Sequence, residues 1–218
     1  MAYLNIDSIT HSFGKNSVLN DVTFNGNLGE IIGIFGRNGA GKSTLLNLLF
    51  RRFKIQNGSI TINNKDLGSI KYQDQLVGYL PQYRILPKEH KVRDVIAMTC
   101  PNGEIQDRIF YAPGINAISN RYVYQLSHGN LKYLSALLIL HQPHPIILLD
   151  EPFSMVDPLI REQFRKLLKN KKKDKLIILT DHYYKDVFEI SDKRYVLNKG
   201  FMQAVQHLED LKKHGYIP

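Results

Sequence analysis

A single cysteine, Cys100, stands in 218 residues, so no internal disulfide can form and the fold must be held by its core. Nor does any stretch approach the roughly 18 consecutive apolar residues of a membrane helix. The strongest runs, "LSALLIL" and "IILL", are short and flanked by polar residues or proline. The chain is therefore not expected to span a bilayer itself. Its opening, "MAYLNIDSIT", lacks the basic segment and apolar core of a secretory leader, which makes the cytosol the default expectation. Internal repeats and low-complexity linkers are missing as well. Acidic residues are scarce beside basic ones, 20 Asp and Glu against 29 Lys and Arg, for a formal charge of +9. That surplus suits nucleic acid, anionic lipid or a polyanionic ligand without choosing among them. Its densest cluster, "LKNKKKDK" from Leu168 to Lys175, reads as a solvated connection between a helix and a strand.

What is present is an ordinary globular core. Hydrophobic residues make up 43% of a chain long enough for one large α/β domain or two small ones. "VLNDVTF" and "GSITINN" read as half-buried strands, with Ile60 and Ile62 on one face; "YLNIDSI" alternates only loosely at Leu4, Ile6 and Ile9. This part is predicted to be antiparallel. Three later runs are short, continuous and rich in Ile and Leu: "EIIGIF" (Glu30 to Phe35), "PIILLD" (Pro145 to Asp150) and "KLIILT" (Lys175 to Thr180). Strands buried on both faces of a parallel sheet have that appearance. Between them, "KSTLLNLLFRRF" sets Leu45, Leu49 and Phe53 near one helical stripe, and "PLIREQFRKLLKN" does the same with Ile160, Phe164 and Leu167. Pro158 suits the first turn of the second. From about Tyr83 to Gln125 no buried strand is visible, and "RDVIAM" and "IQDRIFYA" predict a small helical insertion. Strand alternating with helix predicts an α/β core.

The chemistry concentrates in "GRNGAGKST", which comprises Gly36, Arg37, Asn38, Gly39, Ala40, Gly41, Lys42, Ser43 and Thr44. It meets the pattern G-x-x-x-x-G-K-[ST] between a buried strand and a helix, the context that a phosphate-binding loop requires. Glycines let the backbone wrap a phosphate closely, and the helix N-terminus supplies unpaired N–H donors and a positive dipole end. Lys42 would reach the β- and γ-phosphates, and Ser43 would ligate Mg²⁺. A second buried strand ends in "IILLDEP". There Asp150 is placed to hold the Mg²⁺ shell, and Glu151, one residue further, to orient or deprotonate an attacking water. A GTPase would need N-K-x-D; "NNKD" at Asn63 to Asp66 places the Asp one residue early and "NKKKD" at Asn170 to Asp174 one late.

With these motifs in order, followed through "YLPQY" (Gln82), "LSHGN" (Leu126 to Asn130), "SMVD" (Ser154 to Asp157) and "TDH" (ending at His182), the chain resembles the ATP-binding cassette ATPases, the nucleotide-binding subunits of ABC transporters. The likeness runs over nearly the whole length. It implies a P-loop NTPase core with a mostly parallel sheet, an antiparallel N-terminal β subdomain and a small helical insertion. Residues 1–218 would form a single cassette domain, with the helical subdomain at about 83–140. It further implies ATP and Mg²⁺ as ligands, hydrolysis of ATP, a second cassette as partner and separate transmembrane permease subunits, with no nucleic acid partner expected. Phe13 would stack on adenine, with Val18 nearby. Gln82 would touch Mg²⁺ and the attacking water, His182 would contact the γ-phosphate and hold water and Glu151, and Asp157 would lie between two cassettes. The stretch Tyr83 to Met98 would meet the membrane subunits. The style of "GYLPQYRILPKEHKVRDV" favours an exporter, and with the short tail "LEDLKKHGYIP" no regulatory domain is expected.

One motif departs from the family. Its usual LSGGQ, which closes over the ATP of the opposite cassette, here reads Leu126, Ser127, His128, Gly129 and Asn130. Ser127 keeps a hydroxyl and Asn130 an amide. His128 would cost of order 1–2 kcal/mol if its position needed φ > 0. Loss of one contact worth about 1.4 kcal/mol would slow closure or turnover roughly tenfold. The expectation is a competent ATPase that closes weakly by itself or pairs with a different cassette. Two alternatives stand beside it: a soluble cassette ATPase acting on ribosomes or nucleic acid, and a cassette that binds ATP without turning it over.

Overall fold

The computed structural model describes residues 3–71, 74–83 and 85–217. Along the chain come β1 (Leu4–Phe13), β2 (Asn16–Gly26), β3 (Ile31–Phe35), α1 (Lys42–Leu49), β4 (Asn57–Ile62), β5 (Lys65–Asp66) and β6 (Val77–Leu80). Four helices follow, α2 (Val92–Thr99), α3 (Gly103–Phe110), α4 (Ile115–Ile118) and α5 (His128–Leu140). The remainder runs β7 (Ile146–Asp150), α6 (Pro158–Lys171), β8 (Leu176–Thr180), α7 (Tyr184–Ile190), β9 (Lys193–Asn198), β10 (Phe201–Ala204) and α8 (Leu208–Lys213).

The strands divide into two sheets. One is antiparallel, in the order β2-β1-β4-β5, and its register places Leu4 opposite Ile62 and Ile6 opposite Ile60. These apolar pairs share one face because side chains alternate along a strand. The other sheet has the order β10-β9-β3-β8-β7-β6; all neighbours are parallel except β10 against β9. Its central strands are buried on both sides. Ile31, Phe35, Ile147, Leu149, Ile177 and Leu179 face the helices α5, α6 and α7. Ile32, Ile34, Ile146, Leu148, Leu176 and Ile178 face α1 and the antiparallel sheet. That is why the runs read as unbroken stretches of Ile and Leu.

Several local expectations are corrected. Helix α1 ends at Leu49, short of Phe53, because the chain turns at Arg51 with φ +62°. Sandwiched between the two sheets, α1 buries Leu45, Leu46, Leu48 and Leu49 instead of one stripe. Truncating any of these leucines to Ala would cost about 2–5 kcal/mol. On α6 the fully buried pair is Phe164 and Leu168, whereas Ile160 and Leu167 pack at its margin. The basic cluster is not wholly solvated. Lys175 is buried and donates to the carbonyls of Gln142 (2.8 Å) and His144 (2.7 Å), and Lys172 pairs with Asp192 at 2.6 Å. Strands β6, β9 and β10 are short and carry neither an unbroken apolar run nor a clear alternation. Of the stretch expected to meet membrane subunits, Arg84 lies outside the described residues.

Candidate functional site

In an open α/β sheet, ligands gather at the carboxyl ends of the strands. Here β3, β6, β7 and β8 run the same way, so the segments following Phe35, Leu80, Asp150 and Thr180 emerge on one edge. Those segments carry the phosphate loop, Gln82, Glu151 and His182.

The loop is shaped by its glycines. Gly41 caps α1 with φ +103°, and a Cβ there would come within 2.9 Å of a Leu19 methyl and 3.0 Å of the Val18 carbonyl oxygen. A Cβ on Gly36 would stand 2.7 Å from the carbonyl oxygen of Leu197. Neither space admits a side chain. Arg37, Asn38 and Gly39 are exposed at its crest, Ala40 is partly buried, and Ser43 and Thr44 lie in the first turn of α1 with Ser43 exposed. Lys42, 6% exposed, donates from Nζ to the carbonyls of Gly36 (2.6 Å) and Arg37 (3.2 Å). Burial lowers its pKa, and the carboxylates of Glu151, Asp150 and Asp181 act against that shift by favouring the charged form.

Asp150 ends β7 as a buried carboxylate with both oxygens engaged. Thr180 donates to Oδ1 at 2.7 Å and Tyr79 to Oδ2 at 3.2 Å. Burial and the adjoining carboxylate hold the Tyr79 hydroxyl well above its ordinary pKa, so it stays a donor. Glu151 follows with φ +54°, a left-handed conformation that costs a non-glycine residue about 1–2 kcal/mol. Its surroundings hold it there. The Glu151 N–H donates to the Thr180 carbonyl at 2.9 Å, and Lys132 Nζ donates to the Glu151 carbonyl at 2.5 Å. Its carboxylate receives Gln82 Nε2 at 2.9 Å and Ser154 Oγ at 3.2 Å, and lies 2.9 Å from His182 Nε2. The structure thus brings together Lys42, Gln82, Asp150, Glu151 and His182, drawn from four strand ends.

The signature segment lies beside this group. Ser127 is the N-cap of α5, its hydroxyl oxygen accepting from the Asn130 N–H at 3.2 Å. His128 is the first helical residue and does not have a positive φ, so the strain considered above does not arise. Ser127 and His128 are exposed, while Gly129 is buried. A Cβ on Gly129 would be 3.3 Å from Ile160 and 3.7 Å from Asp157 Oδ2, which seats the signature against the start of α6. Asp157 caps that helix by accepting from the Ile160 N–H at 3.0 Å. Phe13 is 48% exposed at the end of β1, with ring centroids 4.9 Å from His11 and 5.4 Å from Phe53. Val18 borders the phosphate loop through Gly41.

A sequence model of the ABC transporter family matches residues 19–154, from β2 to the turn bearing Glu151 and Ser154. The chain belongs to the ABC transporter family. An uncharacterized ABC transporter ATP-binding protein of Methanocaldococcus jannaschii is 31% identical over 98% of this chain and 81% of its own length. CysA of Nocardia farcinica, named a sulfate/thiosulfate import ATP-binding protein, is 27% identical over 95% of this chain. This chain spans 66% of that relative. The solved structure of an ATP-binding subunit of an ABC transporter superposes with a TM-score of 0.83 at 21% identity, over 98% of this chain and 93% of the other, a likeness of fold. The protein is an ABC ATP-binding chain of a transport system, and the ATP-binding domains of its family are ATPases coupled to transport.

Within this ABC ATPase, sequence reasoning missed four residues of the site. Tyr79 and Thr180 orient Asp150, and Lys132 anchors the Glu151 backbone. Asp181 is fully buried and accepts from the N–H groups of Phe153 (2.6 Å) and Tyr183 (3.0 Å), which ties the turn after Glu151 to the segment around His182. Burial raises its pKa despite those bonds. Thr180 and Asp181 lay in plain view in "TDH". Lys132 sits in a helical run with nothing to single it out.

Proposed function

We propose that the chain is the ATP-hydrolysing subunit of an ABC transporter, working as a head-to-tail pair of cassettes that closes on two ATP molecules and drives separate membrane subunits. One observation carries this reading: the Glu151 carboxylate is held by Gln82, His182 and Ser154 one residue beyond a buried aspartate, on the sheet edge that bears the phosphate loop.

The loop's N–H groups and Lys42 bind and orient the triphosphate. Ser43 and Asp150 offer the few hard oxygen donors that suit Mg²⁺ shared with phosphate and water, and Gln82 adds an amide oxygen. The ion would neutralise charge developing on the phosphates. Glu151 accepts a proton from the attacking water or aligns it, while His182 and Gln82 restrict the carboxylate to one orientation. Phe13, exposed yet braced by two rings, offers adenine a stacking face, with Val18 alongside.

Ser127, His128, Gly129 and Asn130 would face the ATP of the opposite cassette, and Asp157 would border the joint. The exposure of Ser127 and His128 at a helix N-terminus supports that role. The helical stretch within 83–140 would act as the subdomain that meets the permease. Export, favoured by the stretch Gly78 to Val95, draws no support from this site, and CysA bears an importer's name.

Light scattering of the Glu151→Gln chain after gel filtration, with and without Mg-ATP, tests the pairing. An ATP-dependent shift from monomer to dimer is expected. A persistent monomer with ATP bound would exclude self-pairing and direct the search to a different cassette.

A further inference from the structure

We infer that Lys132 is a positioning residue for the hydrolytic step, its ammonium tying the backbone of Glu151 to the signature helix. The inference rests on the reading of Glu151 as the residue that orients the attacking water.

Lys132 lies in the first half of α5, five residues beyond the capping Ser127. Partial burial of the ammonium imposes a desolvation penalty that lowers its pKa. Three carboxylates, Asp181, Glu151 and Asp150, act against that shift. The side chain is therefore not a solvated surface lysine. Its stem borders a small cleft shared with Gln82, Tyr83 and His128, where the segment after β6 meets the signature helix. From that cleft Nζ reaches the Glu151 carbonyl at 2.5 Å.

That contact falls on the one residue of the group held at positive φ. Glu151 stays at φ +54° while Gln82, Ser154 and His182 grip its carboxylate. Three bonds therefore fix the side chain and Lys132 fixes the peptide behind it. Because Lys132 stands on the helix whose N-terminus carries Ser127 and His128, a displacement of that helix acts directly on the Glu151 peptide. Lys132 would thus make hydrolysis sensitive to the position of the signature helix, without itself touching nucleotide.

The test compares the full chain with Lys132→Met, Lys132→Gln, Lys132→Arg and Glu151→Gln, measuring kcat and KM for ATP, ATP affinity and deuterium uptake of the peptide spanning 148–155. Lys132→Met should lower kcat about tenfold, the size of one lost positioning contact, with KM and ATP affinity within twofold. Uptake at 148–155 should rise, and Lys132→Arg should restore both, since it returns a cationic donor. A kcat within twofold of the parent in Lys132→Met, beside an inactive Glu151→Gln, would overturn the role of Lys132 alone. Full turnover in Glu151→Gln would instead overturn the reading of Glu151. Loss of folding in both Lys132→Met and Lys132→Gln, or equal losses in affinity and kcat, would assign Lys132 a structural part and defeat the proposal.

Discussion

His182 Nε2 meets Glu151 Oε1 at 2.9 Å across the ends of two adjacent strands whose last residues, Asp150 and Thr180, are paired in register. The sheet register therefore sets this contact. A side chain one residue past Asp150 faces one two residues past Thr180, and the distance tolerates no slip because a one-residue shift would turn every side chain of the strand to the other face.

Replacing His182 with Ala removes one of the groups that orient Glu151. The expected result is a fall in kcat of about a hundredfold, while ATP affinity measured by equilibrium binding changes far less. A comparable loss of affinity would show that His182 acts chiefly in binding.

His128 begins α5 in an ordinary helical conformation, so glycine there relieves no strain. His128→Gly should leave urea unfolding within about 0.5 kcal/mol of the parent, on the destabilised side. Ser127→Ala deletes the cap and should lose about 1 kcal/mol. A clear stabilisation by His128→Gly would contradict the backbone geometry.

Arg161 and Arg165 of α6 converge on Asp186 of α7, at 3.2 and 2.9 Å, and the carboxylate is only 12% exposed. Asp186→Asn would leave two guanidinium groups facing a neutral amide. The arginines keep partial access to water, so the loss should be about 1–3 kcal/mol, below that of a fully buried pair. Denaturant unfolding at neutral pH measures it.

Tyr216 donates to the Asp181 carbonyl at 3.1 Å, and burial, with Asp181 and Glu151 nearby, pushes its hydroxyl from 10.0 up to about 12. Between those values the unfolded chain gives up this proton and the folded chain keeps it, so folding stability falls as pH rises. The contribution is complete below pH 10 and lost through about pH 12. Tyr79, Tyr133 and Tyr195, also raised by burial, add to the same trend. Tyr216→Phe should flatten the alkaline loss, as followed by thermal unfolding at stepped pH. An unchanged slope would mean that Tyr216 does not titrate with unfolding.

The central strands were legible because both faces of β3, β7 and β8 meet core, leaving uninterrupted Ile and Leu. Strand β9 escaped detection because only Val196 and Leu197 are fully buried in "KRYVLN". The antiparallel sheet was visible through alternation, whereas α1 was overextended to Phe53 because an aromatic cluster, not a helix, accounts for that side chain.

The sequence by itself determined the phosphate loop, since the spacing G-x-x-x-x-G-K-[ST] between a buried strand and a helix is a local pattern, and it determined which carboxylates follow buried strands. Tertiary structure alone decided what surrounds them. Tyr79, Lys132 and Asp181 act on Asp150, Glu151 and the turns beside them from separate elements. No local pattern records such contacts, because they depend on strand order and helix packing that bring distant segments to one edge of the sheet.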